Sequence, residues 1–430
     1  MRVAIVAAKY PYGPQEAYLD RELRAFAPHT GGVAVFPTSP RERTPGYRDI
    51  PADVHRLGLI SIATLAGALT ALATRPAASA RAIASVAFAR GRPGVKLKNL
   101  AVIPLGLAVG TALRRGRFDH VHSYWLSTPA TVAFVAAAVA GIPWSSTAHL
   151  WDIYEENALA LKLRSARFVR AISARGRLDL LAAVPDIAPA RISVLHVGVD
   201  VPETAPAAPT RHAGTPFALL CAANLVRKKG HADLLRAVAA VRSGGTDVRL
   251  TLAGDGDLRD NLEALVRELQ LGDAVTFRGY VGHDALLDEI RAGRYDAMAL
   301  TSLELAGGVM EGIPVALMEA MALGLPVLTT ATGSITELVD DGCGRVVPQG
   351  DIAAIAGALR ELAADPALRA GLADAAHARV RAEFDVVTVA RELARLIATP
   401  ASVTLDRASG RSSNEDARTT EGGDAAWGQG

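Results

Sequence analysis

Six short apolar runs recur at near-regular intervals through the second half of this 430-residue chain, and they restrict the folds open to it. They are Phe217 to Ala222, Val248 to Ala253, Ala274 to Arg278, Ala297 to Leu300, Pro326 to Thr329 and Arg345 to Val347. Continuous apolar runs of this length read as strands buried on both faces of a parallel sheet. Helical stretches fill the gaps, which implies βαβ units and a doubly wound sheet. The first half opens the same way. Val3 to Ala8 reads as a strand, a loop with Pro11, Gly13 and Pro14 follows, and a helix starts near Gln15. Further strands are expected at Val33 to Phe36, near His120 and at Ser145 to Thr147.

Val201 to Pro216 interrupts the alternation with Pro202, Pro206, Pro209 and Pro216 among small residues. Such a stretch reads as a linker. The expectation is an α/β protein of two Rossmann-like doubly wound domains: residues 1–200, a linker over 201–216, and a second domain over 217–382. Residues 383–400 form a closing helix, and the polar, Gly- and Ser-rich 401–430 is read as a disordered tail.

The net charge of +2 excludes no partner class, and no feature points to nucleic acid. Two cysteines, Cys221 and Cys343, argue against a disulfide scaffold or a zinc site and suit a reducing cytoplasm. The stretch Val54 to Phe118 stands apart, with ten Arg or Lys residues and no Asp or Glu. Within it, Leu57 to Ala73 carries no charge, and Leu100 to Leu113 is similar. Three readings compete: a transmembrane helix, ordinary buried helices, or a basic surface that touches anionic lipid.

The chemistry-bearing signal is Glu311-Gly-Ile-Pro-Val-Ala-Leu-Met-Glu319. Pro314 suits the first turn of a helix, so Glu311 lies just before the helix and Glu319 within it. The free N–H groups at Gly312, Ile313 and Val315 would form an anion site. Glu319, one to two turns further on, could accept bonds from vicinal ribose hydroxyls, and Glu311 from a hexose. The bland reading is a charged helix start and a solvated carboxylate. A second signal, Asn224-Leu-Val-Arg-Lys-Lys229-Gly230, follows a strand and precedes a helix, as phosphate-binding loops do, or it is a solvated basic turn.

Together these residues resemble retaining glycosyltransferases of the GT-B fold, family 4 type. Lys229-Gly230, Gly254-Asp-Gly256, the Glu311 and Glu319 pair, Gly333 and Glu337-Leu-Val match that family's motifs in order and spacing. Thr147-Ala-His149-Leu-Trp-Asp152 resembles its His-centred loop, and His196-Val-Gly-Val-Asp200 the end of its N-domain. Glu16, Tyr18 to Glu22 and His122 look most like the exopolysaccharide branch typified by colanic-acid transferases. The resemblance implies that two domains face a cleft, with Lys229 on the donor diphosphate, Glu319 on the ribose and Glu311 on the sugar. His149 would lie near the sugar and acceptor, with Gly13, Glu16 and Asp152 on the acceptor side. Many members carry Arg at Asn224, and Arg227 is the candidate replacement. The family's N-terminal glycine pair is replaced by Gly13-Pro14.

The function expected is metal-independent hexosyl transfer, with retention, from a UDP- or GDP-linked sugar to a lipid-linked glycan precursor, on the inner face of the plasma membrane. No cofactor is expected. Asp255-Gly-Asp257 fits a metal-binding Asp-x-Asp pattern but reads better as helix-capping carboxylates. A glycosidase needs carboxylates about 5 to 9.5 Å apart, whereas eight helical positions span about 12 Å. A nicotinamide enzyme needs a Gly-rich fingerprint that the first loop lacks. A small-molecule acceptor and a non-catalytic sugar-nucleotide binder remain as alternatives.

Overall fold

The computed structural model describes residues 1–12, 16–40, 42, 46, 49–204, 215–306 and 308–399. The expectations placed on Gly13, Gln15, most of the linker and the 401–430 tail lie outside the described residues. Two parallel sheets organise the chain. The first has the order β3-β2-β1-β4-β5-β6-β7, and the second β10-β9-β8-β11-β12-β13. The first sheet comprises β1 (Val3–Ala7), β2 (Val33–Pro37), β3 (Asp53–Val54), β4 (His120–Ser123), β5 (Trp144–Ala148), β6 (Val169–Ala171) and β7 (Ile192–Val194). The second comprises β8 (Phe217–Ala222), β9 (Val248–Ala253), β10 (Val275–Gly279), β11 (Ala297–Leu300), β12 (Val327–Thr330) and β13 (Arg345–Val347).

The strand order reverses between β1 and β4 in one sheet and between β8 and β11 in the other. In doubly wound sheets, ligands bind in the crevice at this reversal, outside the carboxyl ends of the strands. In the first sheet, Val3 and Ile5 face a core shared with Leu19, Leu23 and Phe26, while Ala4 and Val6 face Val132, Ala133 and Ala136. Both faces are covered, which is why the strand is a continuous apolar run.

The last helix, Val386–Ala398, leaves the second unit and packs Ala390, Leu393 and Ile397 into the core of the first, against the helix Ala17–Phe26. The crossing is pinned where Val199 N–H donates to Phe384 O at 2.8 Å and Val386 N–H to Val199 O at 2.9 Å.

The stretch without acidic residues forms four helices between β3 and β4: Ile62–Thr74, Pro76–Phe88, Pro93–Ala101 and Ile103–Arg115. Pro93–Arg115 is long and apolar enough to cross a membrane, but Leu105, Leu107, Val109 and Leu113 are core residues. The helix Ile62–Thr74 buries only Thr64, Ala68 and Ala71. Ile62, Leu65, Leu69 and Leu72 form one exposed stripe along it, with Ile62 89% accessible.

Three strands have no counterpart in the sequence reading: β3, β6 and β7. β6 contains Arg170, which is fully buried because Glu22 pairs with it through both Nη1 and Nη2. Tyr124 Oη adds a hydrogen bond to Glu22 Oε1 at 2.9 Å. Removing one member of a buried pair strands the other charge, at about 3–5 kcal/mol. Glu22→Ala should therefore lower the stability of the first unit by about that much in chemical denaturation. A loss below about 1 kcal/mol would show that the pair contributes no more than a surface bridge.

Candidate donor site at the second sheet reversal

The loops that leave β8, β11 and β12 meet at the reversal of the second sheet. After β8 the chain turns through Asn224 and a short 3-10 turn, Arg227–Lys229, to Gly230. Gly230 has φ +68°, and a Cβ there would sit 1.7 Å from Thr301 O. Only glycine lets the β8 loop lie this close to the β11 loop. Thr301 Oγ1 donates back to Gly230 O at 2.9 Å, and Leu303 N–H donates to Lys228 O at 2.8 Å. On the other side Gly333, φ +57°, abuts Glu311 O, which a Cβ would meet at 1.9 Å.

Glu311 is buried between these loops. Its Oε2 accepts from Lys229 Nζ at 2.8 Å, and Lys228 Nζ lies 2.7 Å from Oε1. The backbone N–H groups of Gly312 and Ile313 meet no acceptor among the described residues. The helix that follows is Val315–Ala322, so Pro314 is its N-cap, one residue earlier than the sequence placed it. The cap is extended, with ψ 122°, as N-cap residues generally are. Ser302 Oγ, Thr332 Oγ1 and Ser334 Oγ, on the flanking loops, are buried without partners among the described residues. Buried polar groups are nearly always hydrogen-bonded. Two ammonium groups and two free N–H groups make a site for a polar, anionic ligand.

Glu319 lies within the helix, also buried. Its Oε1 accepts from Arg21 Nη1 at 2.6 Å and from His283 Nε2 at 2.7 Å. Burial pushes the Glu319 carboxyl up, but the bonds from His283 and Arg21 outweigh it and hold the group below its usual range. The Glu319 bond in turn raises the His283 imidazole.

Asn224 and Arg227 are exposed on the β8 loop. Asp255 Oδ1 accepts from Gly256 N–H at 2.8 Å, a local turn contact. No three His, Cys, Asp or Glu side chains cluster as metal ligands among the described residues.

In the first unit, Glu16 is buried and its carboxylate accepts from the N–H groups of Ala8, Lys9 and Tyr10 and from Trp125 Nε1. It thereby ties together the loops on either side of the β1–β4 reversal. Asp152 Oδ2 accepts from the N–H groups of His149 and Leu126, each at 3.0 Å. The His149 ring lies 4.2 Å from that of Trp125 and 5.8 Å from that of Tyr18. Both its nitrogens are buried without a partner among the described residues. The helix Ala17–Phe26 thus joins the two groups, with Tyr18 against His149 and Arg21 on Glu319.

Arg21, Lys228 and His283 were not singled out from the sequence. Lys228 stood within the basic loop, beside Lys229. Arg21 stood within the stretch Tyr18 to Glu22, without a role of its own; it and His283 are 298 and 36 positions from Glu319, and nothing local links them to it.

Two sheets with a polar, anion-receiving site at the second reversal define a two-domain, doubly wound α/β protein. Comparison with known proteins gives the family. The family model "Glycosyl transferases group 1" matches residues 205–379. The D-inositol 3-phosphate glycosyltransferase of Streptomyces avermitilis is 31% identical over 323 residues, 66% of this chain and 68% of that protein. The chain belongs to the group 1 glycosyl transferases. An Escherichia coli K12 protein assigned to colanic acid biosynthesis as the glycosyltransferase WcaL is 35% identical over 212 residues, 48% of this chain. That match spans about half of the relative's own length, 51%. The crystal structure of Anabaena HepE in complex with UDP aligns with TM-score 0.66 at 18% identity, over 92% of this chain and 99% of that one. The fold is GT-B.

The raised His283 fixes a sign. Its contribution to the pairing is complete below its ordinary 6.5 and is lost as pH rises through its higher midpoint. The contribution of Glu319 is complete above its ordinary 4.5 and is lost as pH falls through its lower one. An NMR titration should place His283 above 6.5, and Glu319→Gln should bring it down. An unchanged midpoint in the variant would contradict the pairing.

Proposed function

We propose that the protein transfers a hexosyl unit, with retention, from a UDP- or GDP-linked sugar to a lipid-linked glycan precursor in exopolysaccharide or cell-envelope synthesis. The observation that carries this reading is Glu311, bracketed by Lys228 and Lys229 beside the free N–H groups of Gly312 and Ile313. Each lysine has three donors, so it can hold Glu311 and still turn to a diphosphate. In this mechanism the bond from the anomeric carbon to the diphosphate oxygen breaks. Charge that develops on the diphosphate is met by Lys229 and the helix-start donors, without a metal. The acceptor hydroxyl forms the new bond from the same face, and its proton passes to the departing phosphate oxygen. Glu311 orients the hexose. His149 hydrogen-bonds sugar or acceptor, and Asp152, whose Oδ2 lies 3.6 Å from His149 Nδ1, holds its loop. Domain closure would exclude water.

The exopolysaccharide setting draws on the similarity to the colanic acid protein. A second reading, transfer to a small polar acceptor, is favoured by the longer match to the inositol-phosphate enzyme. Glu311→Ala and Lys229→Ala should each lower transfer from a nucleotide-sugar by about a hundredfold or more, in variants that circular dichroism shows to be folded. Full activity in both would refute the site.

For the acceptor we favour lipid, reached from the inner membrane surface by a peripheral protein of the cytoplasm. The exposed stripe of the helix Ile62–Thr74 lies in a segment with ten cations and no anions. Phe88 on the next helix is 87% accessible, and Leu97 is also exposed. Apolar groups that insert at the interface and cations that meet anionic headgroups act together. The protein should float with anionic vesicles at low salt and fail to float with neutral ones, and Leu69→Glu should abolish flotation. Absence of binding to anionic vesicles, or a dimer that Leu69→Glu dissociates, would reject this docking.

A further inference from the structure

Glu319 is held from both sides of the cleft. His283 reaches it from the start of the helix His283–Arg291, in its own domain. Arg21 reaches it from the helix Ala17–Phe26 of the other domain. Both bond the same oxygen, Oε1. The second oxygen, Oε2, has no partner among the described residues and is not sealed from solvent. Arg21 Nε lies 3.8 Å from Asp200 Oδ2 at the end of the first domain, while its Nη2 comes within 2.6 Å of His283 Nε2, a second donor that is held there by the shared Glu319 oxygen. Asp284 Oδ1 faces His283 Nδ1 at 3.1 Å.

The terminal torsion of a glutamate is broad, so an unbraced carboxylate samples many orientations. Two charge-assisted bonds to one oxygen remove that freedom and leave the other oxygen pointed. We propose that Arg21 and His283 are positioning residues of a ribose subsite: they fix Oε1 so that Oε2 accepts from the vicinal hydroxyls of the donor nucleoside. The inference rests on the nucleotide-sugar reading above and adds that the subsite is shared between the two domains. A donor nucleoside is then gripped fully only when the first domain supplies Arg21. Affinity gained in this way comes from preorganisation, without direct contact between Arg21 and the ligand.

The test compares UDP with 2′,3′-dideoxy-UDP, and GDP with its dideoxy analogue, by calorimetry on the full chain. Glu319→Ala should weaken the ribonucleotide and leave the dideoxy form as in the native protein. Arg21→Ala and His283→Ala should each weaken the ribonucleotide about tenfold and the dideoxy form less than twofold, in variants that circular dichroism shows to be folded without ligand. Arg21→Lys should recover part of the loss. Equal weakening of both nucleotides by Arg21→Ala would reduce Arg21 to a structural or general charge effect. Tighter ribonucleotide binding in that variant would make Arg21 a competitor for the ribose position. Either result overturns the inference while leaving the donor reading intact. If Glu319→Ala fails to discriminate between the two nucleotides, or none binds the native protein, the donor reading itself fails.

Discussion

The candidate site at the second sheet reversal depends on one buried carboxylate and the two ammonium groups beside it. Glu311 sits where the loops after β8, β11 and β12 converge, and a buried carboxylate is tolerated only with partners. Lys228 and Lys229 supply them at 2.7 and 2.8 Å. The lysines can stand there because Gly230 lets the β8 loop press against Thr301, and Glu311 can stand there because Gly333 leaves room for its carbonyl. In the proposed function the same arrangement would serve binding: groups already drawn together would need no further ordering when a diphosphate arrives, and the N–H groups of Gly312 and Ile313 are unbonded beside them.

The two domains are tied by contacts that involve site residues. Arg21 binds Glu319 on one side of the cleft. On the other side Glu337 accepts from the N–H groups of Ala174 and Arg175, at 2.6 and 3.0 Å, at the start of the helix Ala174–Ala183. His196 lies 3.5 Å from the same carboxylate. Burial pushes Glu337 up, but His196 and the two backbone donors hold it below its usual range. Motif residues of the second domain thus fix its position against the first. Lys162 does comparable work within the first domain. Burial drives its ammonium down to about 7, and it holds the Leu126 and Ser127 carbonyls beside Asp152 at 2.8 and 2.7 Å.

Much of the second domain was legible in the sequence because its central strands are covered on both faces. Phe217–Ala222, Val248–Ala253, Ala297–Leu300 and Arg345–Val347 came out with their observed bounds. β6 and β7 were not legible, since three residues carry no periodicity and Arg170 hides its burial behind a partner 148 positions away. Glu311, Glu319 and Lys229 could be read because helix-start chemistry and spacing are local. Arg21 and His283 could not, because the fold brings them to Glu319 across long separations. The exposed stripe on Ile62–Thr74 was half legible. The absence of charge was plain, but which face would be covered depended on Gly67, whose lack of a side chain lets the helix approach Ala108.

The most direct test of the central claim is a structure of the protein with a nucleoside diphosphate bound. The account predicts the diphosphate at the start of the helix Val315–Ala322, within hydrogen-bond distance of Lys229 Nζ and the N–H groups of Gly312 and Ile313. A diphosphate bound instead at the β1–β4 reversal, near Lys9 and Trp125, would contradict it.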